Sequence, residues 1–193
     1  RMPHILKFED GIFEDGAVAM ATEFVAPLSA WAAVAQDERN LAWGVYCALQ
    51  ALAFLHGADL CHGNVTPRSL FVTAAGDWKL WGFELCTHLV PKETGNDDPL
   101  AFFRAHEHLV DDAYRSPERV SRDWTTMEKA KVGAADLWGF GKVLEVAYKK
   151  RPGGLPRELA VWTKRMTAAD PARRPTAQQV LRGCPLFRQA FLR

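Results

Sequence analysis

The chain has 193 residues, enough to enclose one sizeable hydrophobic core or two small ones. Hydrophobic residues make up 48% of it and charged residues 24%, which is the balance of an ordinary soluble globular protein. The formal net charge of +1 provides no bulk electrostatic attraction to nucleic acid or to an anionic membrane, so direct nucleic-acid binding is not expected.

Cysteine spacing and apolar runs exclude further classes of protein. The four cysteines, at positions 47, 61, 86 and 184, show no C-x-x-C or Cys/His spacing typical of a metal site, so we expect reduced thiols and no bound metal. No run approaches about 18 consecutive apolar residues, so no membrane span is predicted. These features are typical of a cytoplasmic or nuclear protein.

The N-terminal part of the chain predicts short strands followed by a long helix. Residues 5–9 and 17–24 predict strands with a turn at residues 11–15 between them, and residues 27–36 predict a short helix. Residues 39–55 predict a long helix, because apolar side chains recur there at steps of three and four positions. These positions are Leu41, Val45, Leu49, Leu52 and Leu55.

The stretch from His62 to Glu84 carries the most informative pattern. It begins His-Gly-Asn-Val and ends Gly-Phe-Glu. Between these motifs, apolar residues 70–72 and 78–80 flank a turn at residues 75–77 that contains a glycine, which predicts a β-hairpin.

Three further segments follow in the second half of the chain. Residues 86–114 have the mixed composition of a surface loop, within which residues 100–110 predict a short helix. A Ser-Pro-Glu motif at residues 116–118 is followed by Asp-Pro-Ala-Arg-Arg-Pro-Thr at residues 170–176. Between them, residues 133–141 begin a helix that is apolar enough to be buried on nearly all sides.

In this order, the motifs resemble those of a protein kinase catalytic domain. Residues 62–65 stand where kinases have the H-R-D loop, residues 82–84 where they have D-F-G, and residues 116–118 resemble A-P-E. Among the kinases, the H-x-N-V loop and the segment Asp-Trp-Lys-Leu-Trp-Gly-Phe at residues 77–83 most resemble the SCY-like (Scyl) pseudokinases. Proteins of that family are scaffolds in vesicle traffic, and they carry helical repeats after the kinase-like domain.

The resemblance implies an α+β fold that is mainly α. We expect a protein-kinase-like large lobe (C-lobe) with a hinge and a partial, truncated small-lobe (N-lobe) sheet. Residues 1–26 are expected to be the remnant of the small lobe and the hinge, and residues 27–193 the large lobe, as one domain overall. The Gly-rich loop that covers the ATP phosphates in kinases has no counterpart in the sequence.

The same resemblance implies that the chemical residues of a kinase are replaced. Asn64 stands where the catalytic Asp accepts the proton of the substrate hydroxyl, and an amide cannot act as that base. Ser69 and Gly82 stand at the two Mg²⁺-ligand positions, and glycine has no side-chain oxygen to offer. Glu84 lies two residues beyond Gly82 and is expected to point away from the site. We therefore predict no catalytic residue and no metal.

Two more replacements concern phosphate groups. Thr66 replaces the Lys that contacts the transferred phosphate, and Gly63 replaces the Arg that receives an activation-loop phosphate. The degenerate positions are thus His62, Gly63, Asn64, Thr66, Ser69, Gly82, Phe83 and Glu84.

Two groups of residues are predicted to keep a kinase-like role. The hinge and the hairpin imply an adenine pocket at Thr22, Glu23, Val25 and Phe71, although a strand end and hairpin core explain the same residues. ATP binding without Mg²⁺ therefore stays open as an alternative, while no cofactor is expected in the first place. The structural residues are Glu118, Arg174 and Asp136.

These structural residues have predicted contacts. Glu118 and Arg174 are expected to form a buried ion pair. Asp136 is expected to cap its helix and to bond the backbone of the catalytic loop. Trp124 and Trp162 are assigned to core packing in preference to surface anchoring.

Two functional hypotheses follow. The first is a catalytically inactive pseudokinase domain that serves as a protein-interaction scaffold in a larger assembly, in intracellular vesicle trafficking. It would be cytoplasmic and associated with Golgi or endosomal membranes through partners. The alternative is an atypical ATP-binding kinase or a nucleotide-sensing switch with weak or no phosphotransfer, which a carboxylate converging on the pocket would favour.

Overall fold

All the strands lie in the first half of the part of the chain that the structure, a computed structural model, describes, and the second half is helical. This part comprises residues 2–32, 37–88, 99–131, 133–149 and 153–190.

Within these ranges, every strand pairs antiparallel with a neighbour. The strands are β1 Phe8–Glu14, β2 Ala17–Thr22, β3 Ala26–Pro27, β4 Leu60–Cys61, β5 Leu70–Val72, β6 Trp78–Leu80 and β7 Thr87–His88. The helices are α1 Leu28–Ala32, α2 Glu38–His56, α3 Pro99–His106, α4 Pro117–Val120, α5 Trp124–Lys129, α6 Ala134–Tyr148, α7 Arg157–Met166, α8 Ala177–Gly183 and α9 Pro185–Ala190. Most of the residues in these elements are helical, which confirms the predicted fold class.

Strands β1 and β2 form a hairpin whose two-residue turn is Asp15-Gly16. Both turn residues have positive φ angles, 50° and 77°, as the type I′ turn favoured by Asp-Gly requires. The turn predicted at residues 11–15 is therefore wrong. Gly11 stays in β1, opposite Met20, and the chain reverses only after Glu14.

The first predicted strand, residues 5–9, is present only in part. Ile5 forms a single parallel bridge with Leu80, and regular pairing in β1 begins at Phe8. The second predicted strand is shorter than expected, because the chain leaves the hairpin after Thr22 to reach the sheet that contains β3.

Strands β5 and β6 form the predicted hairpin, with Val72 opposite Trp78. Thr73 closes its loop, since its N–H donates to the carbonyl of Asp77 (3.0 Å) and its hydroxyl accepts from the Asp77 N–H (3.1 Å). Strand β3 pairs with the other side of β5, and β4 pairs separately with β7. The two segments that carry the His-Gly-Asn and Gly-Phe-Glu motifs therefore lie next to these sheets.

Helix α2 is the centre of the hydrophobic core and confirms the predicted long helix. Asp37 caps its N-terminus by accepting a hydrogen bond from the Arg39 N–H (3.2 Å). The helix approaches β6 closely at Gly44, where a Cβ would overlap the indole of Trp78. Trp78 is fully buried, and its ring lies parallel to that of Tyr148 on α6 at 6.4 Å.

Helix α6 is buried along most of its length, as its apolar sequence predicts. Leu137, Phe140, Val143 and Leu144 are fully buried in the same core as α2. The helix starts at Ala134, directly after its N-cap residue Gly133, whose φ angle is 79°. The predicted division of the chain at residue 26 stays a prediction.

Two predicted helices differ in length from those observed. Of residues 27–36, α1 contains 28–32, while residues 33–36 lie outside the described residues. The helix predicted over residues 100–110 is α3 followed by a 3₁₀ turn at Glu107–Leu109, which leaves Leu109 52% exposed. Within the described ranges, no helix has the length and apolarity that a bilayer span needs.

Candidate functional site

The loop after β4 is held in place by the carboxylate of Asp136. This fully buried side chain accepts hydrogen bonds from the N–H groups of His62 and Gly63, both at 2.8 Å, and lies 3.0 Å from Nε2 of His56. Burial alone would raise the pKa of Asp136, but the hydrogen bond and charge of His56 and the contacts with His62 lower it to about 2. The predicted bonds to the catalytic-loop backbone are present.

The predicted capping role of Asp136 is wrong. The N-cap of α6 is Gly133, which has no side chain to accept a hydrogen bond from the helix, and Asp136 lies in the first turn of the helix. Its carboxylate faces the loop instead, where its oxygens contact two backbone N–H groups and the His56 imidazole.

His62 is buried and links the two degenerate motifs. Its Nε2 lies 2.8 Å from the carbonyl oxygen of Trp81, and its Nδ1 accepts a hydrogen bond from the Asn64 N–H (3.3 Å). Its ring meets the Phe83 ring edge-on at 5.2 Å. Burial lowers the pKa of His62 despite the opposing charge of Asp136, so the ring is neutral, with its proton on Nε2 and donated to Trp81.

Gly63 occupies a position where no side chain fits. Its φ angle is +80°, and a Cβ would lie 2.6 Å from both the carbonyl oxygen of Leu85 and the ring of Phe103. The replacement of a kinase arginine by glycine therefore has a packing consequence as well as an electrostatic one. The segments that carry Leu85 and Phe103 lie directly against the loop.

The side chains of Asn64 and Glu84 connect the loop after β4 to the turn after β6. The Asn64 amide donates a hydrogen bond to Oε1 of Glu84 (3.2 Å). The two carboxylate oxygens of Glu84 lie 3.4 and 3.6 Å from the point where a Cβ on Gly82 would be. The expectation that Glu84 points away is wrong, because Gly82, at φ +82°, leads into a 3₁₀ turn at Phe83–Leu85 that brings Glu84 back.

Ser69 is committed to local structure. Its hydroxyl accepts from the Thr66 N–H (3.0 Å) and donates to the Thr66 carbonyl (2.9 Å). The Thr66 hydroxyl in turn accepts from the Arg68 N–H (3.2 Å), so the two side chains form a capping box around a 3₁₀ turn. Ser69 is buried, and its proton and one lone pair are already used.

Asn64, Ser69, Gly82 and Glu84 line a cavity of about 600 Å³, which is the cleft of this domain. Three segments form its walls: the loop after β4, the turn after β6, and the segment that follows α3. The lining residues are Asn64, Thr66, Pro67, Arg68, Ser69, Trp81, Gly82, Glu84, Leu109, Asp111 and Tyr114. In the part of the chain that the structure describes, no three His, Cys, Asp or Glu side chains are grouped as a metal site would need.

The four residues of the predicted adenine pocket do not line this cavity. The Thr22 hydroxyl donates to the carbonyl of Glu23 (3.1 Å), and the Glu23 carboxylate lies 3.2 Å from Nζ of Lys79. Phe71 is half-buried on β5 and pairs with Lys79 across the hairpin, and Val25 precedes β3. The structure thus brings Glu23 and Phe71 to the same lysine.

Glu118 and Arg174 form the ion pair that their motifs predict. Nη1 and Nη2 of Arg174 each donate to one carboxylate oxygen of Glu118 at 2.7 Å. Arg174 is fully buried and also donates to the carbonyls of Ala134, Ala168 and Ala169. Burial raises the pKa of Glu118, but the arginine outweighs that effect and lowers it.

A second buried ion cluster is not evident from the sequence. Nε of Arg119 donates to Oε1 of Glu107 (2.7 Å), and Nε of Arg115 lies 3.3 Å from Oε2 of the same carboxylate. Nη1 of Arg119 also donates to the carbonyl of Gly63 (2.7 Å). The four-residue step from Arg115 to Arg119 is visible in the sequence, but nothing in that spacing indicates that both side chains meet a glutamate after α3.

Comparison with known proteins finds relatives of this chain, and the name of the first one describes a probable inactive kinase. The probable inactive serine/threonine-protein kinase scy1 of Dictyostelium discoideum is 26% identical over 206 residues, which cover 100% of this chain and 24% of that protein. The mouse (Mus musculus) protein-associating with the carboxyl-terminal domain of ezrin is 32% identical over 146 residues, 75% of this chain and 19% of that protein. Human (Homo sapiens) SCY1-like protein 2 is 24% identical over 112 residues, 56% of this chain and 12% of that protein.

No protein-family model matches the chain. The chain spans about a quarter or less of the length of these curated relatives. The order of the motifs, the fold and these relatives together identify the chain as a kinase-like protein of the SCY-like pseudokinase type, with Asn64 and Gly82 where active kinases have carboxylates.

Proposed function

We propose that this pseudokinase domain is a protein-interaction scaffold that carries out no phosphotransfer. One observation carries the proposal. In the cleft, the Asn64 amide is hydrogen-bonded to Glu84, next to Gly82, which has no side chain where active kinases have an Asp. The loop, the DFG-like turn and the frame around Asp136 are kept, while the groups that perform the chemistry are changed.

The donor set does not fit a kinase metal centre. Phosphotransfer needs a base for the substrate hydroxyl and carboxylate or amide oxygens for two Mg²⁺ ions. Asn64 cannot take up the proton, Gly82 has no oxygen, and the Ser69 hydroxyl bonds the Thr66 backbone. Losing one member of a catalytic unit typically reduces the rate by orders of magnitude, and here two carboxylates are absent.

Protein partners are the second part of the proposal. One relative is named as associating with the carboxyl-terminal domain of ezrin, so binding to other proteins is a property associated with a similar chain. The SCY-like resemblance supports a role in vesicle trafficking within a larger assembly. We propose a cytoplasmic location at Golgi or endosomal membranes, reached through those partners.

Glu84 provides the argument for the alternative function. Its carboxylate lies in the cleft, where it was not expected, and a carboxylate there is the feature that favours an atypical ATP-binding enzyme or a nucleotide-sensing switch. Binding of ATP without Mg²⁺ would need only the hinge and the region near Phe71.

Thermal unfolding with ATP, with and without Mg²⁺, tests these proposals on the full chain, alongside a phosphotransfer assay. Ligand at about 100 times its Kd stabilises by about 2.7 kcal/mol, or about 5–10 °C for a domain of this size. We expect no phosphotransfer and no shift that requires Mg²⁺. A shift with ATP alone would support the nucleotide-sensing switch.

Two variants separate the alternatives. A shift and a phosphotransfer rate that both require Mg²⁺, and that Glu84→Gln abolishes, would establish the enzyme and contradict the scaffold. Glu128→Gln is the matched control, because Glu128 is an exposed carboxylate on α5 outside the cleft.

A further inference from the structure

A second cavity, far more basic than the cleft, lies between α7, α8 and the 3₁₀ turn at Pro171–Arg173. We propose that this basic cavity, defined by Lys131, Arg165, Arg173 and Arg182 around Trp162, binds an acidic peptide segment of a protein partner. The proposal rests on the proposed function as a protein-interaction module and names the chemistry of one partner.

The lining of the basic cavity carries charge of one sign only. Its volume is about 470 Å³, and among the residues that the structure describes no Asp or Glu contributes to its wall. The lining residues are Lys131, Trp162, Arg165, Arg173, Arg174, Pro175, Gln179, Arg182 and Gly183. In a chain with a net charge of +1, this concentration of cations is local and is not a consequence of overall composition.

Only the buried arginine of this set is neutralised within the protein. Arg174 is paired with Glu118, as described above. Across the described ranges, Lys131, Arg165, Arg173 and Arg182 form no ion pair with an acidic side chain, and all four are exposed. An anionic ligand would relieve the repulsion between these like charges.

The fold holds two of these cations, Arg165 and Lys131, in place. The Arg165 guanidinium lies 4.4 Å from the centre of the Trp162 ring, in a cation–π contact. Trp162 is held in turn by α8, because it packs so closely on Gly183 that a Cβ there would overlap its ring. Nζ of Lys131 donates to the backbone carbonyl of Arg174 (3.2 Å), which fixes that ammonium at the wall of the cavity. Preorganised donors lose less conformational entropy on binding a ligand.

The shape of the site favours a peptide over the other polyanions. The cavity is lined by three exposed arginine guanidinium groups and one lysine ammonium. Carboxylates or one phosphorylated side chain suit this lining, because they accept bidentate hydrogen bonds from arginine. A duplex nucleic acid instead needs a stripe of cations spaced along its backbone. An anionic membrane needs a group of exposed apolar side chains beside the cations. Among the described residues, the apolar side chains of the wall are only the partly buried Trp162 and the buried Pro175, and the exposed Val161 of α7 lies outside it.

Fluorescence anisotropy with three labelled peptides tests the proposal on the full chain. The probes share one sequence of about ten residues that carries either four glutamates, two glutamates and a phosphothreonine, or four glutamines. We expect both acidic peptides to bind, with an affinity that falls as salt is raised, and the glutamine peptide not to bind. Arg165→Glu and Arg182→Glu should each weaken binding about 10- to 100-fold, since each removes charge-assisted hydrogen bonds.

Two charge-matched variants locate the site. Arg157→Glu changes an exposed arginine of the same helix as Arg165 but outside the cavity, and it should leave the affinity unchanged. Arg68→Glu changes the arginine of the cleft, and it should also have no effect. Loss of binding in Arg68→Glu alone would place the peptide in the cleft and overturn the assignment to the basic cavity. Melting temperatures of all variants verify that each one is folded.

The remaining outcomes separate this inference from the proposed function. Failure of both acidic peptides to bind would overturn the basic cavity as a peptide site, while the absence of phosphotransfer would still support the pseudokinase. Tighter binding of anionic vesicles or of RNA, lost in Arg165→Glu, would also overturn it. If the chain transferred phosphate but bound acidic peptides through Arg165 and Arg182, the scaffold proposal would fail and the peptide site would stand.

Discussion

Asp136 shows how one side chain can maintain the geometry of a cleft that has lost its catalytic groups. It accepts hydrogen bonds from two consecutive backbone N–H groups of the loop and contacts His56 at the end of α2. The loop, α2 and α6 are therefore joined at one fully buried carboxylate. None of these bonds depends on a residue at the catalytic position, which explains how the loop keeps its shape around Asn64.

This carboxylate should make stability depend on acidic pH. Its pKa is lowered from 3.8 to about 2 in the folded chain, so the folded state favours the ionised form. The stabilisation is fully present above about pH 4 and is lost as the pH falls towards about 2. A shift of this size corresponds to about 2 kcal/mol. We expect Asp136→Asn to lower the free energy of unfolding by about that amount at pH 7 in urea denaturation.

The pH dependence distinguishes the carboxylate from a general packing defect. Between pH 4 and pH 2, the stability of the wild-type chain should fall more steeply than that of Asp136→Asn. Glu118, whose pKa is also lowered, contributes to the fall in both chains, so only the difference between them reports on Asp136. Parallel curves would contradict the role assigned to this side chain.

Residue types could be predicted at the candidate site, but side-chain directions could not. The losses at positions 64 and 82 are visible in the sequence, because a motif is a statement about residue identity. The direction of Glu84 depends on the left-handed backbone of Gly82 and on the 3₁₀ turn after it. Nothing in the sequence Gly-Phe-Glu specifies that turn, so the sequence alone does not predict that the Glu84 carboxylate enters the cleft.

At the scale of elements, the buried Glu107 fastens the segment after α3 to the catalytic loop. Arg119 of α4 bonds both the Glu107 carboxylate and the Gly63 carbonyl, and its guanidinium lies 5.1 Å from the Phe103 ring centre. In active kinases, a phosphate on the activation segment binds an arginine of the catalytic loop. Here the carboxylate of Glu107, in place of a phosphate, and Arg119 of α4, in place of a loop arginine, connect the same two segments.

Removal of this carboxylate should loosen the segment. In Glu107→Ala, Arg119 stays buried without its acidic partner, and we expect the free energy of unfolding to fall by about 3–5 kcal/mol in urea denaturation. Limited proteolysis should cut within the segment between α3 and α4 much faster than in the wild type. The matched control is Asp112→Ala, which removes the Arg115–Asp112 pair (2.9 Å), because the Asp112 side chain is 85% exposed and such pairs contribute about 0–1 kcal/mol. Equal effects of the two substitutions on stability and on proteolysis would contradict the role of Glu107 in connecting the two segments.

Local patterns predicted the regular elements better than the connections between them. The periodic apolar residues of α2 and the short hairpin of β5 and β6 were predicted correctly, since burial dictates their periodicity. The predicted first turn begins too early, at Gly11, because a glycine often ends a strand. The observed turn is Asp15-Gly16, a dipeptide that favours a two-residue hairpin turn more strongly. The ion cluster of Glu107 joins residues from separate elements, and such pairings depend on tertiary packing.

At the scale of the whole molecule, stability should be unevenly distributed. Helices α2 and α6 share one core whose side chains are almost entirely buried. Every residue of β1 is exposed, as is every residue of β2 except Thr22. The hairpin contacts the rest of the structure through its base, where Glu23 accepts a hydrogen bond from the Lys7 N–H (2.9 Å) and lies near Lys79. Elements with few buried contacts open at lower free energy than the core.

Hydrogen exchange of the full chain should therefore separate the hairpin from the core. We expect the backbone amides of β1 and β2 to exchange much faster than those in the middle of α2, because opening the hairpin exposes little additional apolar surface. Phe13→Ser, at a side chain that is 73% exposed, should change the free energy of unfolding by less than about 0.5 kcal/mol. Gly44→Ala should destabilise the chain by at least about 1–3 kcal/mol, since its methyl group would overlap the buried Trp78 indole. Slow exchange throughout β1 and β2, or a large effect of Phe13→Ser, would contradict this prediction. It would mean that the apolar face of the hairpin is covered in solution by a part of this chain or by a second copy. Dilution of the sample would distinguish these two, because only contact with a second copy depends on concentration.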